Sequence, residues 1–346
     1  MTIEHKYFMI REIRDTPRAL SKVLEIEGVL RKTAEELFAT GVKRLIFTGC
    51  GSSYYAALAA VRASSATFSL QALPSSEFLF YQSEIDLKKT AVVGISRSGR
   101  TAETLAALRK GKARGITTVA ITCSECSPME SEADISIVLN IGEEKSLIMT
   151  KTFSSLSLAS ILLCSKFHKE YCDISKKRML ESLPEAATEA LKLEEDIVRI
   201  AENVYSKGFF FVLGHGSAYP VALEGALKLM ETCDLKACAL HTLEFRHGPM
   251  SVVDDTVGLI VIALEDCSLQ AVARLINDMK REGFKPLLIS NVIKNRYTLK
   301  LPMRLDPKLS APVVILPIQL LAFYISIRRG FNPDSPRRLH RFVRGF

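Results

Sequence analysis

The chain has 346 residues, of which 48% are hydrophobic and 24% charged. Those values suit one large or two ordinary globular domains and argue against a disordered or fibrous protein. A formal charge of +8 can serve nucleic acid or anionic metabolites, but the basic clusters are short and lack interleaved aromatics. They are Lys176-Lys177-Arg178, Arg328-Arg329 and Arg337-Arg338, so no nucleic-acid partner is expected.

The eight cysteines include one Cys-x-x-Cys, Cys123-Ser-Glu-Cys126, with no second pair and no histidine nearby. Ordinary thiols, and no metal, are expected. The start, Met1-Thr-Ile-Glu-His-Lys, lacks the apolar run of a signal peptide. The most apolar stretch, Ala311–Ile325, contains Pro312, Pro317 and Gln319 and is flanked by Lys308 and Arg328. It is short for a membrane span and reads as a buried helix. A cytoplasmic protein without a membrane partner is expected.

In chain order, Val42–Thr48 reads as a buried strand. Gly49-Cys-Gly51-Ser-Ser53 follows as a small-residue loop, then Tyr54–Arg62 as a helix. Thr90–Ser96 is a strand, Arg97-Ser-Gly-Arg100 a tight loop and Thr101–Arg114 a helix. Strands over Thr117–Thr122 and Ile135–Leu139 and a long helix over Phe153–Lys169 complete the first half. Asp173–Pro184 reads as a polar linker, and Glu185–Tyr205 as one helix. The second half begins again with a strand, Gly208–Leu213, a loop, Gly214-His-Gly216-Ser217, and a helix, Tyr219–Met230. Strand Gly258–Ala263, helix Leu269–Glu282, strand Pro286–Ser290 and helix Val313–Arg328 follow. The repeated Gly-x-Gly-Ser before a tyrosine marks an internal duplication. Two α/β domains result, over residues 1–175 and 176–346, each a parallel sheet with helices on both faces in a flavodoxin-like three-layer sandwich. Ligands in such folds bind at the carboxyl ends of the strands.

Candidate chemistry gathers in three places. Ser96-Arg-Ser-Gly-Arg-Thr101 joins a strand to a helix, and its hydroxyls with the first helix amides can hold a phosphate. Gly51-Ser52-Ser53 is its neighbour in type. Ser and Thr also cap helices without binding anything. The matching loop of the second half, Leu264-Glu-Asp-Cys-Ser268, carries carboxylates and would repel phosphate, which leaves one cradle. The second place is the helix with Glu224, Lys228 and Glu231 near one face, where Leu223, Ala226, Leu227 and Met230 supply apolar surface. Glu231 can act as a general base and Lys228 can offset developing negative charge, although Glu–Lys pairs are also common on exposed helices. The third is Glu244-Phe-Arg-His247-Gly-Pro249, whose histidine is suited to proton transfer near neutral pH or to a structural hydrogen bond. Gly49-Cys-Gly51-Ser-Ser53 lacks the third glycine of a dinucleotide loop, and no cofactor is expected.

These stretches, with Thr150-Lys-Thr-Phe153, Ala222-Leu-Glu-Gly-Ala-Leu-Lys-Leu229 and Asp334-Ser-Pro-Arg337, resemble the double sugar isomerase (SIS) family in the family's order and over nearly the full length. The resemblance is to the isomerase half of glucosamine-6-phosphate synthases, and in type to stand-alone glucosamine-6-phosphate deaminases. It implies a phosphorylated sugar as ligand, held by Ser96, Ser98 and Thr101 with Ser52 and Ser53. It makes Glu231 the base that moves a proton between C1 and C2, Lys228 its active-site neighbour and His247 the ring-opening histidine. In the family that histidine comes from the partner subunit, so a homodimer with shared sites is implied. Glu224 follows as the next site residue.

The chain departs from the family in carrying Arg97 for a glutamine and Arg341 for a tail lysine that closes over the sugar, and both arginines are expected among the substrate-binding residues. The glutaminase part is absent from this sequence, and a glutamine-dependent synthase is not expected from it alone. Glucosamine 6-phosphate deamination to fructose 6-phosphate and ammonia is the expected activity. A fructosamine-type 6-phosphate deglycase, another sugar-phosphate isomerase and a non-catalytic sugar-phosphate sensor are its alternatives.

Overall fold

The computed structural model describes residues 6–64, 69–81, 89–167, 174–302 and 305–339. The chain divides into two compact units. One is formed by Arg18–Glu144 and Lys151–Glu181, and the other by residues up to Pro17, Lys145–Thr150 and Ser182–Leu339. The second unit thus draws on three separate stretches of chain.

The first unit holds a five-stranded parallel sheet of β1 (Arg44–Gly49), β2 (Leu70–Pro74), β3 (Thr90–Ser96), β4 (Thr117–Thr122) and β5 (Ile135–Val138). The strand order is β2-β1-β3-β4-β5. Every residue of β3 is buried, and so is all of β1 after Arg44, as the near-continuous apolar runs require of strands covered on both faces. α1 (Phe8–Arg14) belongs to the second unit, and α2 (Thr16–Glu25) begins at the boundary between them. α3 (Glu27–Ala39) buries Leu30, Thr33, Ala34 and Leu37, the spacing of one helical face. α4 (Ser52–Ala63) presents Ala56, Ala57, Ala59, Ala60 and Ala63, and these small residues let α8 (Lys151–Phe167) pack closely against it. α5 (Ser75–Tyr81), α6 (Ala102–Ala113) and α7 (Pro128–Glu132) follow β2, β3 and β4. Ile46, Val92, Ala120, Leu108 and Met129 form a core between strands and helices.

The second unit repeats the plan with β6 (Phe209–Gly214), β7 (Lys236–His241), β8 (Val257–Ala263), β9 (Leu287–Ser290) and β10 (Thr298–Lys300), all parallel. Its order, β10-β9-β8-β6-β7, is the first order read from the other edge, so the duplication seen in the sequence is matched in topology. Between the units' sheets in sequence lie α9 (Ile174–Glu181), α10 (Leu183–Leu191) and α11 (Glu194–Val204). The linker expected over Asp173–Pro184 is therefore largely helical. Pro184 stands in the first turn of α10, where a proline's missing N–H costs nothing. The single helix expected over Glu185–Tyr205 is two, divided at Lys192–Leu193.

α12 (Tyr219–Cys233) and α13 (Leu269–Arg281) flank the second sheet, and α14 (Ala311–Val314) and α15 (Leu316–Arg328) complete the unit. Gly225 faces Ile318 of α15 at a distance that leaves no room for a side chain. Ala311–Arg328 is long and apolar enough to cross a membrane, but 83% of it is buried inside the protein. That is how a core helix of a folded domain behaves.

Candidate active site

In the first unit, the chain order places β1 and β3 side by side, with β2 reached on one side and β4 on the other. This is the point where strand order reverses, and loops leaving the two strands part to form a crevice. The loop after β1 leads into α4 at Ser52, and the loop after β3 leads into α6 through Ser96–Thr101. The fold therefore brings Ser52 and Ser53, both buried, to the crevice beside Ser96, Ser98 and Thr101.

The hydroxyls do not cap these helices. Thr101, the N-cap of α6, makes no side-chain bond to its first amides, and Gly51 holds that position in α4 with no side chain to offer. Instead they shape the loop. Ser96 Oγ lies 3.0 Å from Thr101 Oγ1 and accepts the Gly99 amide at 3.2 Å, and Ser98 Oγ accepts the Arg100 amide at 3.2 Å. The Arg97 carbonyl is pinned from β4 and beyond by Thr122 Oγ1, the Cys123 amide and Ser124 Oγ. Gly99 sits at φ +60°, and a Cβ there would come within 2.5 Å of Ser127 Cβ. Two neighbouring helix starts with positive dipole ends and no internal cap form an arrangement suited to a phosphate.

Arg97 belongs to the same loop. Its guanidinium is only 11% exposed and pairs with Glu144 at 3.2 Å, whose other oxygen accepts the Thr152 amide. The side chain is engaged in tying the loop to the start of α8. Cys50, between Gly49 and Gly51, is no candidate nucleophile. Burial raises its thiol pKa most, the Ser75 hydroxyl opposes that next, and the Glu103 carboxylate adds to the rise against a smaller effect of Thr104.

In the second unit, α12 is rotated relative to the expected orientation. Met230 is 42% exposed, and Leu223 and Leu227 are only half-buried. Glu224 and Lys228 are fully buried among Val221, Ala222, Gly225 and Leu229. Lysine and glutamate reach such depth only when paired. Lys228 Nζ lies 3.1 Å from Glu224 Oε1 and 2.6 Å from Glu231 Oε2. Burial pulls the ammonium's pKa down, and the two carboxylates more than offset that, so the net shift is upward. A solvated surface pair is thereby ruled out for this trio.

Glu231 alone of the three retains exposure, 17% of its side chain. It lines an open pocket of about 360 Å3 with Thr232 and Asp234 on one side and Asn332 and Ser335–Leu339 on the other. That volume is on the scale of a small-ligand site, about 300–1,000 Å3. The sequence reading missed Thr232, Asn332 and Arg338 as wall residues. Their nearest sequence signal is the Asn-Pro-Asp-Ser-Pro turn, which bends the chain end back toward α12 in this unit.

His247 follows β7 on an exposed turn, where its amide donates to the Glu244 carbonyl, and it does not line the Glu231 pocket. His215 and His241 meet at the ends of β6 and β7 with ring centres 6.2 Å apart, and His241 stacks on Tyr219 at 3.7 Å. Arg341 lies outside the described residues. Among the described residues no group of three or more His, Cys, Asp or Glu is arranged to hold a metal ion.

The SIS domain model matches residues 40–164 and 204–327, the two sheets and their helices. The glutamine–fructose-6-phosphate aminotransferase of Thermococcus kodakarensis is 30% identical over 98% of this chain. The chain spans 58% of that relative's length. Among solved structures, the C-terminal domain of the Francisella tularensis glucosamine-fructose-6-phosphate aminotransferase superposes with a TM-score of 0.86 at 27% identity, covering 95% of this chain and 98% of that one. The glucosamine-6-phosphate deaminase of Thermotoga maritima does so with a TM-score of 0.73 at 26% identity, covering 95% and 99%. Two tandem SIS regions, the doubled sheet order and homology to the isomerase part of the aminotransferases make one conclusion: the chain belongs to the SIS domain family.

Proposed function

We propose that this protein is a phosphosugar isomerase-type enzyme whose reaction is the deamination of glucosamine 6-phosphate. The observation that carries the reading is the trio on α12: a carboxylate, Glu231, reaches an open pocket from a buried ammonium it shares with Glu224. Two carboxylates around one ammonium leave a net charge of −1, so the cluster retains one carboxylate charge for accepting a proton. Proton transfer between C1 and C2 of a sugar needs such a base.

In the proposed sequence Ser52, Ser53, Ser96, Ser98 and Thr101 hold the phosphate of the substrate. His247 assists ring opening. Glu231 takes the proton from C2 and returns it to C1 through an enolamine, while Lys228 offsets the negative charge that develops. Water then adds to the imine at C2, and the C–N bond breaks to give fructose 6-phosphate and ammonia. The exposed turn that carries His247, outside the pocket of Glu231, supports its supply by a second subunit of a homodimer. The similarity to the T. maritima deaminase supports the amino-sugar substrate.

The assay is release of ammonia and fructose 6-phosphate from glucosamine 6-phosphate. Stoichiometric release of both is the expected result. Conversion of a sugar phosphate without ammonia would replace the reading by a plain aldose–ketose isomerase. Release of an amino acid from a fructosamine-type 6-phosphate, with glucosamine 6-phosphate untouched, would replace it by a deglycase.

A further inference from the structure

The pocket of Glu231 is closed on one side by the chain's last described stretch, Gly330–Leu339, which is neither strand nor helix. Such a segment has no ladder to hold it, so its place depends on side-chain anchors. One anchor stands out. Asp334 accepts the amides of Phe8 and Met9, each at 2.7 Å, through its two carboxylate oxygens. These are the first two amides of α1, and Tyr7, the helix's own N-cap, makes no side-chain bond to them. Asp334 therefore caps a helix 326 residues away in sequence.

The same helix grips a third segment. Glu12 of α1, itself buried, accepts the amides of Lys145 and Ser146, and the Leu147 amide donates to the Asp334 carbonyl at 3.1 Å. Within the turn, the Asp334 amide donates to Asn332 Oδ1. Asp334 thus uses its side chain, carbonyl and amide at once, all inside the second unit. Four residues on, Arg338 holds the left-handed backbone at φ +61° while lining the pocket. A non-glycine residue keeps that conformation only where its surroundings fix it. Asp334 anchors the turn that leads into it.

We infer that Asp334 is a positioning residue for the active site: by clamping the chain end onto α1, it sets the pocket wall that runs from Asn332 to Leu339 beside Glu231. The inference rests on the proposed reaction for its kinetic readout and stands apart from it for its structural one. A wall residue that brings no reacting group shapes substrate binding, whereas loss of folded protein lowers apparent kcat and leaves KM in place.

The test uses the full chain with Asp334→Ala and the isosteric Asp334→Asn, which keeps one acceptor oxygen. Hydrogen exchange by mass spectrometry is followed over 8–10, 145–148 and 332–339, and kcat and KM are measured with glucosamine 6-phosphate. Asp334→Ala is expected to speed exchange in all three stretches and to raise KM about tenfold with kcat changed less, as misplacement of a binding group does. Asp334→Asn is expected to lie between it and wild type. Unchanged exchange at 332–339 in Asp334→Ala overturns the clamp, whatever the enzyme's substrate proves to be. Faster exchange with an unchanged KM in both variants overturns its role in the site. Should Asp334→Ala fail to fold, the KM of Asp334→Asn decides alone.

Discussion

Lys228 Nζ sits 2.6 Å from Glu231 Oε2 with no exposure of its own, and Glu224 holds it from the other side at 3.1 Å. One ammonium between two carboxylates is the electrostatic unit on which the rest of the site depends. Replacing Lys228 with methionine leaves both carboxylates without their counter-charge, and breaking a buried pair from one side costs about 3–5 kcal/mol. Urea titration of Lys228→Met at pH 8 is expected to show a loss of that order, with activity falling below detection.

The pH dependence of the same pair has a definite sign. The folded state raises the Lys228 pKa above its ordinary 10.5: burial opposes the charge and the two carboxylates outweigh it. A group raised on folding contributes its full stability below its unfolded pKa and loses it as pH climbs through the folded value. The stability gap between wild type and Lys228→Met should therefore stay level from pH 7 to about 10 and narrow above that. A gap that narrows between pH 7 and 9 would contradict the charge assignment.

Gly99 fixes the Ser96–Thr101 loop by conformation and by space. Gly99→Ala places a Cβ at φ +60° and within 2.5 Å of Ser127 Cβ, so strain and overlap add. A loss of about 2–4 kcal/mol is expected, together with weakened phosphosugar binding. Ser127→Ala should not rescue it, since the obstructing Cβ remains and the capping box that Ser127 makes with Glu130 is lost. Thermal unfolding of the single and double variants checks both statements.

Arg97 distinguishes a structural role from a binding one. Its partner Glu144 is 2% exposed, and Arg97→Ala would leave that carboxylate buried and half-paired. The expected outcome is a stability loss of about 3 kcal/mol with a small change in KM. A large KM increase at unchanged melting temperature would return Arg97 to the ligand.

His247 on its exposed turn leads to a mixing experiment. In the proposed homodimer, Glu231→Gln and His247→Ala are each expected to be inactive. When subunits are exchanged in equal amounts, half the dimers are mixed and one of their two shared sites carries neither substitution, so about a quarter of wild-type activity should return. No recovery after confirmed exchange would mean that both residues act within one subunit.

Much of this arrangement is legible in the sequence because central parallel strands are continuous apolar runs: β1, β3, β4, β6, β8 and β9 all stand out by that signal. The strands that escape notice, β2, β7 and β10, are edge strands of the two sheets. Edge strands are only half covered, so Leu70–Pro74 is broken by Gln71 and Lys236–His241 carries only the small run Ala237–Leu240. The Ser96–Thr101 loop is visible by its hydroxyl density, but its lack of capping bonds is a matter of geometry alone. The face of α12 is misread from its pattern because leucine and methionine outrank a buried lysine in any hydropathy argument. Only the pairing with Glu224 and Glu231 reverses the order. The clamp at Asp334 joins residues 326 positions apart, beyond the reach of local spacing.

The central claim is that Glu231 carries a proton between C2 and C1. Conversion of glucosamine 6-phosphate in D2O, followed by NMR, tests it most directly. Wild type should yield fructose 6-phosphate whose new C1 hydrogen comes from C2, or from D2O where the protonated Glu231 exchanges before delivering it, and Glu231→Gln, folded and with an unchanged melting profile, should form that C1 bond about 10²–10⁴-fold more slowly. Deuterium at C1 formed by Glu231→Gln at the wild-type rate would contradict the account, because the proton would then be moving through another group.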